Sequence, residues 1–290
     1  MHGRADLWLA AMVMVAVGIA LLFAVYRLSA RAKAWQLGVW GGILASLLLL
    51  FGFVFSGSVL IAQLLPLRCL PVCGNFAFPL SLMLAGLLLR SRIPRWRRVP
   101  FVVLLVGAAS WALVAPLLSD TPACGDLWEG DVCIQSGLAS CSAAAAATLL
   151  RYHGIEATEQ EMAGLCLTSA KGTTTHGLFR GLLVKTKGTP YRPRACMLSL
   201  AELQASRNLP AIASVALTAE ISESDPRYTR KWGWQIGEPH AVVILGFPDD
   251  GEVLVADPSV GPEHWRVEGL RDLMTGECIL MTTRDKRIQD

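Results

Sequence analysis

The sequence predicts an all-α transmembrane region of four helices followed by an α+β domain in which a helix carrying a cysteine packs on an antiparallel sheet. Three observations lead there. Residues 1–119 hold ten Lys or Arg and one acid, a balance of +9, whereas residues 120–290 hold 16 basic and 22 acidic residues, a balance of −6, so the whole-chain +3 averages two different objects. The first part contains four apolar runs, about 7–26, 37–65, 70–89 and 99–118, each long enough to cross a bilayer core, which takes about 20 helical residues. In the second part an Ala/Leu helical pattern gives way to short apolar runs bounded by turn residues. The chain therefore divides into residues 1–119 and 120–290.

The first run, Leu7 to Tyr26, has a cleavable signal peptide as its rival, helped by the small residues Ala30 and Ala32; the run is long for such a segment and basic residues flank the supposed cut. The second runs from Leu37 to Leu65. The third, Leu70 to Leu89, is interrupted by Pro71, Gly74, Asn75 and Pro79, which also suits a re-entrant segment. Charge decides in favour of crossing. Arg27, Arg31 and Lys33 follow the first run, and Arg90, Arg92, Arg95, Arg97 and Arg98 follow the third, while residues 66–75 hold only Arg68. Four crossings put both basic loops on the cytoplasmic side; three do not. The expected protein is multi-pass, in a bacterial inner membrane, with its N-terminus and residues 120–290 extracytoplasmic. Basic residues strung between apolar runs suit the lipid bilayer as a partner and argue against nucleic acid.

An outside location permits disulfides, and Cys124 with Cys133, beside the membrane, is the pair that spacing suggests, although pairing is not readable from sequence. No CxxC knuckle or paired His/Cys spacing occurs, so no metal site is expected.

In the second part, Ser140 can cap a helix running from Cys141 to about His153, with Gly154 in the left-handed position that ends it. Five consecutive alanines, 143–147, let a neighbouring backbone approach closely, which explains them without chemistry. A thiol in the first helical turn meets the positive end of the helix dipole, which favours thiolate. Gln135, six residues upstream, lies on the connection entering the helix, where its amide can donate to a developing oxyanion. Taken alone, the same residues also fit a buried structural cysteine and a surface glutamine. His240 opens an apolar strand, 241–247, and Asp257 ends the next, so two adjacent antiparallel strands would bring a base and its orienting carboxylate together. Trp232 and Trp234, just before His240, form either a substrate-binding lip over the cleft or packing for their own loop.

The order Gln135, Cys141, His240, Asp257, with "LLRYHGIEATEQEMAGL", "KGTTTHGLFRGL" and "HAVVILGFPDDGEVLVADPSVG", resembles the papain-like cysteine peptidases that process bacteriocin leader peptides after a double glycine. The resemblance covers about residues 130–283. It implies a papain-like fold, Cys141 as nucleophile, His240 as general acid/base, Asp257 orienting the imidazole, and Gln135 with the Cys141 backbone amide as oxyanion hole. It implies a peptide or protein substrate, no metal or nucleotide cofactor, and a separately encoded transport or secretion protein as partner. Two departures stand out. Family members typically carry glycine after the nucleophile where this chain has Ser142, and the well-known ones precede an ABC exporter, whereas here an apolar region comes first and no Walker motif occurs. A non-catalytic peptide-binding module and a papain-like cell-wall amidase or endopeptidase are the competing readings.

Overall fold

The structure, a computed structural model, describes residues 4–206, 208–249 and 251–283. The outermost residues of both assigned regions, and Asp250 within the turn between the two strands, lie outside them. The chain divides into two units: Met1–Ile61 with Cys69–Ser119, and Ala62–Arg68 with Asp120–Asp290.

In the first unit α1 (Ala5–Leu28) is followed by α2 (Ala34–Leu50), which continues as a π-helical turn over Phe51–Phe55. The apolar run expected to reach Leu65 is broken at Gly57, whose φ of +75° ends the helix, and resumes as the short α3 (Val59–Leu64). Hydrophobicity continues through Leu65; backbone conformation does not. The third run is likewise two pieces, α4 (Leu70–Cys73) and α5 (Ala77–Arg90), turning at Gly74 and Asn75. The last helix is α6 (Arg95–Leu118). Among the described residues four helical stretches, Ala5–Arg31, Ala34–Phe55, Leu70–Arg90 and Arg95–Leu118, are long and apolar enough to cross a membrane. The third is the centre of the group, since α5 touches α1, α2 and α6. Glycine makes the α1–α5 contact close: a Cβ at Gly86 would stand 2.7 Å from the Leu22 carbonyl oxygen. Arginines tie the ends, Arg90 donating to Ala30 O at 2.9 Å and Arg4 to Leu117 O at 2.8 Å.

The second unit is α+β. A hairpin, β1 (Leu127–Glu129) and β2 (Val132–Ile134), leads to α7 (Cys141–Tyr152), which ends at Gly154 with φ +68°. Then come α8 (Glu159–Leu165) and α9 (Thr175–Lys185), whose starts are capped by the side chains of Thr158 and Thr174. After β3 (Tyr191–Met197) the chain forms α10 (Leu200–Ala205), β4 (Ala211–Ala216) and the short α11 (Ala219–Ser224) and α12 (Arg227–Arg230). It closes with β5 (Pro239–Gly246), β6 (Glu252–Asp257), β7 (Gly261–Arg266), α13 (Val267–Leu273) and β8 (Met274–Thr283). Six strands form one antiparallel sheet in the order β3-β8-β4-β5-β6-β7. Helix α7 is enclosed by β4, β5 and β6 of the sheet and by β2, α8 and α9, with Ala143 to Ala147 wholly buried, so the alanine run lets neighbours approach it on every side. All eight cysteines are free thiols, Cys124 and Cys133 included. Cys133 is fully buried, its backbone N–H held by Thr148 Oγ1 of α7 at 2.9 Å, while Cys124 is held through Gln160, so the two segments are anchored separately.

Candidate active site

Strand register sets the first pair of groups. Val243 pairs with Ala256. His240 lies three residues from Val243 and Asp257 one from Ala256, so strand alternation turns both side chains to the face opposite that pair. They meet there: His240 Nε2 donates to Asp257 Oδ1 at 2.8 Å, and Asp257 is 0% exposed. With Nε2 committed to the carboxylate, Nδ1 is the nitrogen left for Cys141, whose thiol is held down by His240.

Cys141 is the first residue of α7 and is partly exposed. Burial pushes its thiol up, but the hydrogen bond and charge of His240, the Ala241 backbone N–H and the Ser142 hydroxyl together hold it below the ordinary value. Burial pulls His240 down, and the hydrogen bonds and charges of Asp257 and Cys141 outweigh it, raising the imidazole to about 9. Both displacements favour the same proton distribution, thiolate and imidazolium, over a neutral pair. Ser142, the position that departs from the family pattern, thus contributes a donor to the sulfur. A glycine offers no hydroxyl there.

The connection before α7 is pinned from three sides. Gln135 N donates to Pro258 O at 2.8 Å, tying it to the end of β6. The Gln135 side-chain amide donates to Gly137 O at 3.1 Å. Ser140, expected to cap the helix, instead turns its hydroxyl back on Gly137, donating to its carbonyl at 3.0 Å and accepting from its N–H at 3.1 Å. It therefore tightens the turn that carries the candidate oxyanion donor and leaves the first helical N–H groups without a side-chain cap.

Two residues of this arrangement were missed by sequence reasoning. Glu159 is a fully buried carboxylate that accepts from Ser136 N at 2.8 Å and from Ser136 Oγ, clamping the residue next to Gln135. "TEQE" at 158–161 carries the helix-capping signal, and Thr158 does cap; nothing in the pattern says that the glutamate between points inward. Ser259 donates its backbone N–H to Asp257 Oδ1 at 2.8 Å and places its hydroxyl 3.4 Å from His240 Nε2 and 3.5 Å from Gln135 Oε1, where it donates. An aspartate followed two residues later by serine is an Asx-turn signal, legible in "DPS" once Asp257 is singled out.

Both tryptophans make packing contacts. Trp234 is 6% exposed and its ring lies 4.6 Å from that of His240; Trp232 stacks on Trp265 at 5.7 Å. Both join Tyr228 against the sheet core, so Trp234 forms a wall behind the imidazole. A cavity of about 240 Å³ adjoins the turn before α7, lined by Pro122, Cys124, Leu138, Ala139, Ser140 and Ala170.

Residues 129–269 match the sequence model of the Peptidase_C39 like family. An uncharacterised protein of Methanothermobacter marburgensis is 29% identical over 147 residues, which is 51% of this chain and 84% of that one. Among solved structures, the peptidase domain of Streptococcus ComA, a bi-functional ABC transporter involved in quorum sensing, is 19% identical with a TM-score of 0.40, covering 52% of this chain and 96% of that one. A double glycine motif protease from an AMS/PCAT transporter, solved with its leader peptide, is 18% identical with a TM-score of 0.40, covering 53% and 91%.

Proposed function

We propose that residues 129–269, which match the Peptidase_C39 like family model, form a domain of that kind and that this protein is a membrane-anchored cysteine peptidase. Its four apolar helices hold the domain at the bilayer, and the domain hydrolyses peptide bonds on the extracytoplasmic side. The observation that carries the reading is the linked set Cys141–His240–Asp257, in which the thiol is lowered while the imidazole is raised.

The Cys141 thiolate attacks the scissile carbonyl carbon, forming the C–S bond and moving the carbonyl π electrons onto oxygen. Gln135 and the Cys141 backbone N–H stabilise that oxyanion. As the intermediate collapses, His240 gives its Nδ1 proton to the leaving amine and the C–N bond breaks. Water then attacks the thioester as His240 takes its proton, releasing the carboxylic acid and regenerating the thiolate. Asp257 accepts from Nε2–H throughout, keeping Nδ1 aimed at the sulfur and stabilising the imidazolium. The small apolar cavity beside Ser140 takes a substrate side chain. A separately encoded transport or secretion protein supplies or receives the peptide.

The competing reading is a peptide-binding module without turnover. It is favoured by one observation: the Gln135 amide is engaged by Gly137 O. A peptide library incubated with the full-length protein, with products read by mass spectrometry, separates the two. Cleavage by wild type and its loss in Cys141→Ala is the expected result. No cleavage of any peptide by a wild-type protein whose Cys141 alkylates rapidly would leave only the binding module.

A further inference from the structure

The peptidase reading uses nothing from the turn between the second and third apolar helices, yet that turn brings two thiols together. Cys69 immediately precedes α4 and Cys73 ends it, and their sulfurs stand 3.3 Å apart, within hydrogen-bonding contact. The turn is built to hold them. Leu70 and Val72 are fully buried and anchor one side, while Cys69 and Cys73 remain partly exposed on the other. Cys73 N donates to Cys69 O at 2.8 Å, closing a helical turn, and Gly74 follows because a Cβ there would meet the Leu70 carbonyl at 2.8 Å. Residues four apart in such a turn have Cα atoms about 6 Å apart, inside the range of roughly 4.4–6.8 Å that a disulfide requires. Helical neighbours at this spacing keep their Cβ atoms about 5–6 Å apart, beyond the roughly 3.5–4.5 Å of a disulfide, so closing the bond also draws the two ends of this short turn together. Cys196 and Cys278 also face each other, across β3 and β8, but both are buried in the sheet and closed to an incoming reagent.

We propose that Cys69 and Cys73 are a redox-active dithiol that closes to a disulfide by exchange with a small-molecule disulfide. One thiolate attacks the donor's S–S bond, forming a mixed disulfide and releasing one thiol of the donor. The second thiolate attacks the protein sulfur of that mixed disulfide, forming the Cys69–Cys73 bond and releasing the other. The protein loses two electrons and two protons, and the donor is reduced to two thiols. The exchange does not depend on whether the C-terminal domain cleaves peptides.

The test uses the full chain in membranes, equilibrated with reduced and oxidised glutathione in graded ratios, acid-quenched, alkylated under denaturing conditions and digested with trypsin. Cleavage after Arg68 and Arg90 puts both cysteines on one peptide with no others. That peptide is expected to pass from doubly alkylated to unalkylated and lighter by two hydrogens in one transition, reversed by dithiothreitol. Cys69→Ser and, separately, Cys73→Ser are expected to stop at a glutathione adduct on the remaining sulfur. Full double alkylation in the most oxidised buffer would overturn the proposal. So would glutathione adducts on both sulfurs without the internal bond.

Discussion

The two units use the same apolar side chains in opposite senses. In the helical unit Trp8, Phe53, Phe101, Leu104 and Trp111 face outward, and the few buried positions along α1, α5 and α6 are small residues, leucines and the one aromatic Phe78. In the C-terminal unit leucine, valine and tryptophan go inside, and buried polar groups appear among them: Glu159, Asp257, Ser142 and Thr148. Burying a polar group is costly unless a partner is supplied, so such groups mark what has to be held still. Glu159 holds Ser136, Asp257 holds His240, and Thr148 holds the backbone of Cys133. Stability in the first unit comes from close helix contact; in the second, part of it is committed to fixing the loop and strand ends around one sulfur.

Four substitutions break or sharpen that contrast. The largest effect is expected from Gln135→Ala, which removes an oxyanion donor from a partly exposed side chain: peptide cleavage falls about 10²- to 10³-fold, roughly 3–4 kcal/mol of transition-state stabilisation. Alkylation of Cys141 is unchanged, because it develops no carbonyl oxyanion. Equal cleavage by the two proteins rejects the role assigned to Gln135. Next, Glu159→Ala leaves Ser136 N and Oγ without their acceptor, and thermal or denaturant melting of the C-terminal unit should show a loss of about 3 kcal/mol. A melt indistinguishable from wild type means the clamp is ornamental.

Gly86→Val tests the other unit. Its added Cβ meets the Leu22 carbonyl, and overpacking of this kind costs about 1–3 kcal/mol. Circular dichroism in detergent should show the helical unit melting earlier while Cys141 alkylates at the wild-type rate; parallel loss of both contradicts a division of labour between the units.

The smallest effect belongs to Ser142→Gly and is read from pH. The reactive thiolate–imidazolium form exists above the lowered Cys141 value and below that of His240, so cleavage should fall on the alkaline side near pH 9. Removing the Ser142 hydroxyl takes a donor from the thiolate and raises the Cys141 value. The acid limb therefore moves up and the alkaline limb stays. A hydrogen bond worth about 1 kcal/mol makes this a roughly fivefold slowing well down the acid limb. An acid limb that does not move removes Ser142 from the site's electrostatics.

Sequence patterns reported some of these features better than others, for physical reasons. Charge asymmetry and run length are properties of composition, so the four apolar stretches and the change of character near residue 120 were open to inspection. Gly57 was passed over because hydrophobicity runs through it, although a helix does not. The α7 boundaries were legible in Cys141 to Gly154, but the direction of Ser140 was not, since a hydroxyl chooses between the helix N-terminus and a turn three residues back by local geometry. His240 and Asp257 could be paired because strand periodicity is strict. Glu159 could not, because its partner is 23 residues away in the chain and no short-range pattern reports such a contact; for Ser259 the turn with Asp257 two residues back is legible, but its reach to Gln135, 124 residues away, is not.

The alanine run beneath Cys141 bears on tolerance as well as packing. Alanine has no χ angle, so Ala143 to Ala147 bring no alternative rotamers to the contacts of α7 with its neighbours, and the nucleophile rides on backbone separated from them by single methyl groups. The placement of the sulfur is then limited by the stiffness of the sheet rather than by side-chain wobble. A longer side chain in the run has to displace α7 or one of the elements packed on it, and any shift of α7 carries the sulfur along.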